Sequence, residues 1–185
     1  RAPNILTMIN RFNQVSDWVV SEIVKTENPK QRTEVLSKFI EIAARCKSLN
    51  NFNGAMEIIS GLGNSAIHRL KPNWADLSKK VMASYTELTD ILSSDQSYKS
   101  FRAYLKTVDG PCIPYLGMYL TDLTFIEDGN PGKINELHNF SKRTFVANVI
   151  QEIQQYQQTP YHLQEVNSII NYLQGVFENN ISSEE

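Results

Sequence analysis

The sequence has almost none of the residues that staple or metallate a fold. Its 185 residues include two cysteines, Cys46 and Cys112, too few and too far apart for a disulfide framework or a zinc pattern, which points to a reducing compartment. The three histidines, His68, His138 and His162, have no partner at i+3 or i+4 that would make a metal pair on one helix face. Charge of either sign is not in surplus: 18 basic and 20 acidic residues give a formal net charge of −2, and no compact Lys/Arg stripe occurs. Such a chain offers no field to the phosphate backbone of DNA or RNA, so nucleic acid is excluded as the expected partner. No apolar run approaches the about 20 residues needed to cross a bilayer, and Arg1-Ala2-Pro3-Asn4 does not open a signal peptide. The expected location is therefore cytoplasmic.

Reaction chemistry is missing as well. There is no Gly-x-Ser-x-Gly elbow. Gly61-Leu62-Gly63 lacks the preceding strand and the following Lys-Ser/Thr of a phosphate loop, and reads instead as a flexible helix end. No metal or cofactor is expected, and no enzyme of bond chemistry is indicated.

What is present is helix. With 41% hydrophobic and 21% charged residues the chain is ordinary for a globular protein, and its apolar residues recur at helical spacing with no stretch that alternates with a period of two. The expected fold class is all-α. Ile5, Ile9, Phe12, Val19 and Ile23 predict a helix that ends at Asn28-Pro29, and Val35, Leu36, Phe39, Ile40, Ala43 and Cys46 predict a second. Leu49-Asn50-Asn51-Phe52-Asn53 reads as a joint, since Asn tolerates the left-handed end of one helix and caps the start of the next. Trp74, Leu77, Val81, Tyr85, Leu88 and Leu92 form one clean stripe, and Tyr98, Phe101, Leu105 and Val108 another.

The organisation changes at Asp109-Gly110-Pro111-Cys112-Ile113-Pro114, where Pro114 suits a first helical position. Apolar residues then lie on more than one face from Tyr115 to about Asp128, as in a helix that is deeply buried or covered by something else. Gly129-Asn130-Pro131-Gly132 stops it, and a long helix is expected from about Ile134 to Gln158, so that the two make a hairpin. Thr159-Pro160 closes the hairpin, a last helix runs through Val166, Ile169, Ile170, Leu173 and Phe177, and residues 179–185 form a polar tail. Glu127 and Asp128 stand where a helix macrodipole is negative, an unfavourable place for carboxylates that solvation near the turn would ease.

Six blocks occur together and in order: Pro3-Asn4-Ile5-Leu6, Leu49-Asn50-Asn51-Phe52-Asn53-Gly54, Pro111-Cys112-Ile113-Pro114-Tyr115-Leu116-Gly117, Tyr119-Leu120-Thr121-Asp122-Leu123, Asn139-Phe140-Ser141-Lys142-Arg143 and Ile153-Gln154-Gln155-Tyr156-Gln157. They resemble the catalytic domain of Ras-type guanine nucleotide exchange factors, the son-of-sevenless family, over nearly the whole chain. The resemblance implies an irregular helical domain over 1–178, entered after its N-terminal helices, with a protruding hairpin at about 114–158. It implies a guanine-nucleotide releasing factor in signal transduction that binds a Ras, Rap or Ral-like small GTPase, displaces its two switch regions and promotes GDP release for GTP loading. Recruitment to the membrane where that GTPase resides follows from the same likeness.

Residue roles follow the blocks. Thr124 and Asp128 match the two hairpin positions that approach the nucleotide site, where the family often has a larger or apolar side chain and Glu. Met8, Met56, Tyr98 and Tyr115 match positions lining a pocket for an aromatic side chain of the GTPase, although plain core packing would also account for the two methionines. Asn13, His68 and Thr121 match contacts around that pocket, and Gly63 falls where the family usually has Asn. Two other classes would leave the same absences. A helical scaffold would bind without speeding nucleotide release, and a hydrolase with an unfamiliar site would turn over with no GTPase present.

Overall fold

The computed structural model describes residues 2–181, with side chains placed through Phe177. Among these residues ten helices and one two-stranded sheet occur, so the fold is all-α with a small β ornament. The first helix, α1 (Pro3–Lys25), buries Val19 and Ile23 and lies along α2 (Pro29–Ser48) and α3 (Phe52–Leu62). α2 starts where Pro29 removes a donor that has no helical partner anyway, and Asn28 accepts from the Lys30 and Gln31 amides at 2.9 and 3.2 Å. Leu36, Phe39, Ile40 and Ala43 of α2 meet Phe52, Ala55, Ile58 and Leu62 of α3, and this sandwich with α1 is the centre of the core.

Gly61 is part of that packing. A Cβ there would stand 2.7 Å from the Ser16 carbonyl oxygen and 2.9 Å from Val19 Cβ, so α1 and α3 approach as closely as they do because the residue has no side chain. The helix ends here as expected, with Gly63 as its C-cap, and within its last turn Gly61 is a buried contact.

The joint at residues 49–53 does both jobs foreseen for it. Asn50 takes φ 58° and Asn51 accepts from the Gly54 amide at 2.9 Å. The same joint anchors the proline-rich segment 60 residues later. Ile113 donates its amide to Asn50 O at 2.9 Å and accepts from the Phe52 and Asn53 amides at 2.9 and 3.2 Å, while Asn50 Nδ2 donates to Pro111 O at 3.1 Å. Pro114 keeps Ile113 extended, which is what this parallel bridge requires.

Four short or medium helices cover the core: α4 (Ser65–His68), α5 (Lys71–Ala75), α6 (Lys79–Ile91) and α7 (Asp95–Leu105). The stripe from Trp74 to Leu92 is not one helix. Ser78 caps α6 by accepting from the Val81 amide at 3.3 Å, and Trp74 belongs to α5, its indole donating to Ile67 O at 2.9 Å.

The hairpin departs from expectation at both ends. Its first helix, α8 (Leu116–Gly129), begins after Tyr115, so Pro114 precedes the helix and does not open it. Its second, α9 (Phe140–Tyr156), starts six residues later than the apolar pattern suggested. Between them β1 (Lys133–Ile134) pairs antiparallel with β2 (Leu137–His138) across Asn135 and Glu136, both at positive φ (49° and 66°) as a tight two-residue turn demands. Tyr119 is wholly buried and donates to Glu152 Oε1 at 2.9 Å, tying α8 to α9. The last helix, α10 (Asn167–Ile181), extends into the expected polar tail, of which residues 182–185 lie outside the described residues. It returns to α1, where the Arg11 guanidinium sits 3.8 Å above the Phe177 ring and Trp18 meets that ring edge-on.

Candidate functional site

Two features stand on the same helix. At the start of α8 a pocket of about 200 Å³ opens between Met8, Ile9, Phe12 and Asn13 of α1 and Tyr115, Leu116 and Gly117. The Tyr115 ring folds back over Gly117, where a Cβ would overlap it, so the Tyr-Leu-Gly order is what lets the ring form a pocket wall. The ring is tilted against Phe12 on one side and Tyr98 on the other, each at 5.7 Å between centroids. Burial, reinforced by Tyr98, pushes the Tyr115 phenol up to about 12, so it is neutral at any physiological pH.

Of the residues the resemblance singled out, Met8, Asn13 and Tyr115 line this pocket, and Tyr98 stands behind the Tyr115 ring without lining it. Met56 does not line this pocket; it is half-buried on α3 against the core. His68 is exposed on α4 with Lys71 Nζ 3.4 Å from its Nδ1, also outside the pocket lining. Ile9 and Phe12, read only as members of a helical stripe, turn out to be pocket walls. Thr121 is exposed one turn beyond Gly117 and donates to its carbonyl at 2.9 Å.

The second feature is the hairpin tip. Gly117, Thr121, Thr124 and Asp128 follow the spacing i, i+4, i+7, i+11, which keeps them on one face of α8 over about 16 Å. Thr124 is exposed and donates to Leu120 O at 3.0 Å, and Asp128 is exposed with no salt bridge among the described residues. Glu127 differs. Lys142 of α9 is only 3% exposed, and its Nζ donates to Glu127 O at 3.1 Å and Asn130 O at 2.9 Å and pairs with Glu127 Oε1 at 2.8 Å. A buried ammonium therefore caps the negative end of α8, and its hydrogen bond and charge hold the Glu127 carboxyl below the usual range. Asn139 fixes Lys142 in turn: it accepts from the Lys142 amide at 3.2 Å and donates through Nδ2 to Pro131 O at 3.0 Å. The Asn-Phe-Ser-Lys-Arg block is thus the lock of the hairpin. Around it Phe125 and Phe140 are 63% and 80% exposed, a large apolar area at a protruding tip.

Away from the pocket lining, Glu57 of α3 is half-buried. It accepts from Asn53 Nδ2 at 2.8 Å, and faces Arg11 from α1 and Cys46 from α2. Burial dominates over the Arg11 charge and raises its carboxyl to about 7. The folded state thus binds this proton more tightly than the unfolded chain, whose carboxyl titrates near 4.5. The stabilising contribution is complete below the unfolded value and is lost as pH rises through the folded one. The melting temperature relative to Glu57→Gln should accordingly rise as pH is lowered from about 8 to about 6. A difference that stays flat with pH would show that Glu57 ionises freely.

Among the described residues no group of three or more His, Cys, Asp or Glu side chains could hold a metal, and no helix is long and apolar enough to cross a membrane.

Comparison with known proteins identifies the family. The profile of the RasGEF domain matches residues 1–144, from α1 into the first turns of α9. The chain is 47% identical over 176 residues to Ras guanine nucleotide exchange factor J of Dictyostelium discoideum, covering 95% of this chain and 22% of that protein. It is 45% identical over 184 residues to factor A of the same organism, covering 95% and 30%. Against Ras-specific guanine nucleotide-releasing factor 1 of Mus musculus the identity is 41% over 174 residues, covering 94% and 14%. The chain thus spans less than a third of these relatives, and over that span, with a matching profile and an all-helical fold carrying a capped hairpin, it belongs to the RasGEF domain family.

Proposed function

We propose that this chain is the catalytic part of a guanine nucleotide exchange factor, which over residues 1–178 binds a Ras, Rap or Ral-like GTPase and promotes GDP release for GTP loading. The observation that carries the proposal is one face of α8 that runs from half-buried Gly117 at the aromatic pocket through exposed Thr121 and Thr124 to exposed Asp128 at the hairpin tip. An aromatic side chain of the second switch enters the pocket between Met8 and Tyr115, which fixes α8 on the GTPase. The tip then pushes on the first switch. Asp128 brings an unpaired carboxylate to the nucleotide site, where it disfavours phosphate and engages donors that phosphate would otherwise use. Phe125 and Phe140 give the wedge apolar area to set against the displaced switch.

No bond is made or broken. The free energy comes from linkage: weakening nucleotide a millionfold requires about 8 kcal/mol of coupling, and nucleotide weakens the exchange factor by the same factor. The stable complex is therefore with empty GTPase. The protein acts on the membrane where its GTPase resides.

Release of labelled GDP across a panel of Ras-family GTPases tests the activity, and binding without acceleration would replace this reading by a helical scaffold. A double change separates tip from pocket. Thr124→Ala with Asp128→Ala should slow release by about tenfold or more while binding to empty GTPase falls less than about threefold, because the pocket is intact. Both side chains are exposed and Ala favours helix, so stability should hold. Normal release in a folded double variant would show that the wedge acts through other atoms of the hairpin.

A further inference from the structure

We infer that Arg102 is a positioning residue for the pocket: it clamps a left-handed turn that would otherwise relax, and so sets where the Tyr98 ring stands against Tyr115. The inference rests on the exchange-factor reading for its consequence in binding, and on geometry alone for the clamp.

The first turn of α7 is unlike the rest of the helix. Gln96, Ser97 and Tyr98 have φ of 50°, 57° and 62° with ψ of 46°, 49° and 35°, three consecutive left-handed residues. In that conformation each Cβ crowds the following carbonyl oxygen, and L-residues visit it singly, with Gly, Asn and Asp the usual occupants. None of these three is such a residue. The local sequence thus prefers another conformation, and a tertiary contact must select this one.

Arg102 is placed to do so. Its Nε donates to Ser97 O, the middle carbonyl of the turn, at 2.8 Å, and its Nη2 donates to both Asp122 carboxylate oxygens at 2.7 and 2.9 Å. One planar guanidinium therefore ties the turn to α8, the helix that carries the pocket wall at one end and the tip at the other. A lysine ammonium has no fork that reaches in two fixed directions. The pair is half-buried, with side chains 32% and 25% exposed, so solvent and salt weaken it less than a surface pair. Tyr98 is the last residue of the turn, its ring at 55° to that of Tyr115. If the turn reverted to right-handed helix, the Tyr98 Cβ would leave in another direction and Tyr115 would lose the ring that backs it.

The test combines kinetics with a measurement that needs no GTPase. Arg102→Ala should raise KM for the GDP-bound GTPase about tenfold and change kcat less than about twofold, since a poorly placed anchor loses binding common to ground and transition states. Arg102→Lys should recover only part. Adding Gln96→Gly and Ser97→Gly to Arg102→Ala should restore most of the loss, because glycine takes the left-handed turn without steric cost. In a Tyr98→Ala background, Arg102→Ala should add nothing. Full additivity there, or no rescue by the glycines, would overturn the inference. In NMR spectra, ring-to-ring NOEs between Tyr98 and Tyr115 should vanish in Arg102→Ala while those between Phe12 and Tyr115 persist. Retention of the Tyr98–Tyr115 NOEs would also overturn it. If the intact chain accelerates release on no GTPase, the exchange reading fails, and the NOEs still decide the clamp.

Discussion

Tyr115→Ala should weaken binding to empty GTPase by about thirtyfold, some 2 kcal/mol, with little change in melting temperature. The ring forms one wall of the pocket and touches both Phe12 and Tyr98, so its removal opens the site and frees two further aromatics. It is half-buried and stands at the N-terminal boundary of α8, outside the central sandwich, which is why function should suffer more than folding. Tyr115→Phe separates area from polarity: the phenol is neutral, so its loss removes no charge, and most of the affinity should survive. Equal binding by Tyr115→Ala in an equilibrium titration would remove this pocket from the interface.

The second large effect is expected at Lys142→Met, which keeps the aliphatic stem and deletes the ammonium. Two main-chain carbonyls and the Glu127 carboxylate lose their shared donor at once, and the hairpin should be destabilised by about 2 kcal/mol. Hydrogen exchange at residues 127–142 should quicken by roughly thirtyfold if the loss is local, or the melting temperature should fall by about 4 to 8 °C if it is global. If the tip acts on the first switch as proposed, a loosened tip transmits less of the grip, and GDP release should slow by about tenfold or more. Unchanged exchange and melting would show that water replaces the ammonium without cost.

These two residues mark what was legible in the sequence. The helices were, because a 3.6-residue period is written in every apolar stripe. Breaks that preserve the period were not: Trp74, Leu77 and Val81 keep helical spacing across the Ser78 cap, so the stripe looks continuous where the backbone is not. The β1–β2 turn hid for another reason, since two-residue strands are too short to alternate and Asn135-Glu136 lacks the usual glycine. Periodicity gave a face to Ile9 and Phe12 but could not say that a pocket, not core, lies beneath it. Bringing Tyr115 to Met8, more than 100 residues away, needed the family likeness; in the fold it is the Asn50–Ile113 pairing that does it. Lys142 was visible as part of a block, yet its role was not, because two of its partners are carbonyl oxygens, which no sequence pattern displays.

The central claim is that this chain and guanine nucleotide exclude one another on a Ras-family GTPase. It is tested most directly by measuring the affinity of the chain for a responsive GTPase at zero and at saturating GDP. The account predicts a loss of at least about a thousandfold on adding GDP, matched by an equal loss of GDP affinity on adding the chain. An affinity that is the same with and without GDP would contradict it, and would leave the domain a scaffold that holds a GTPase without opening it.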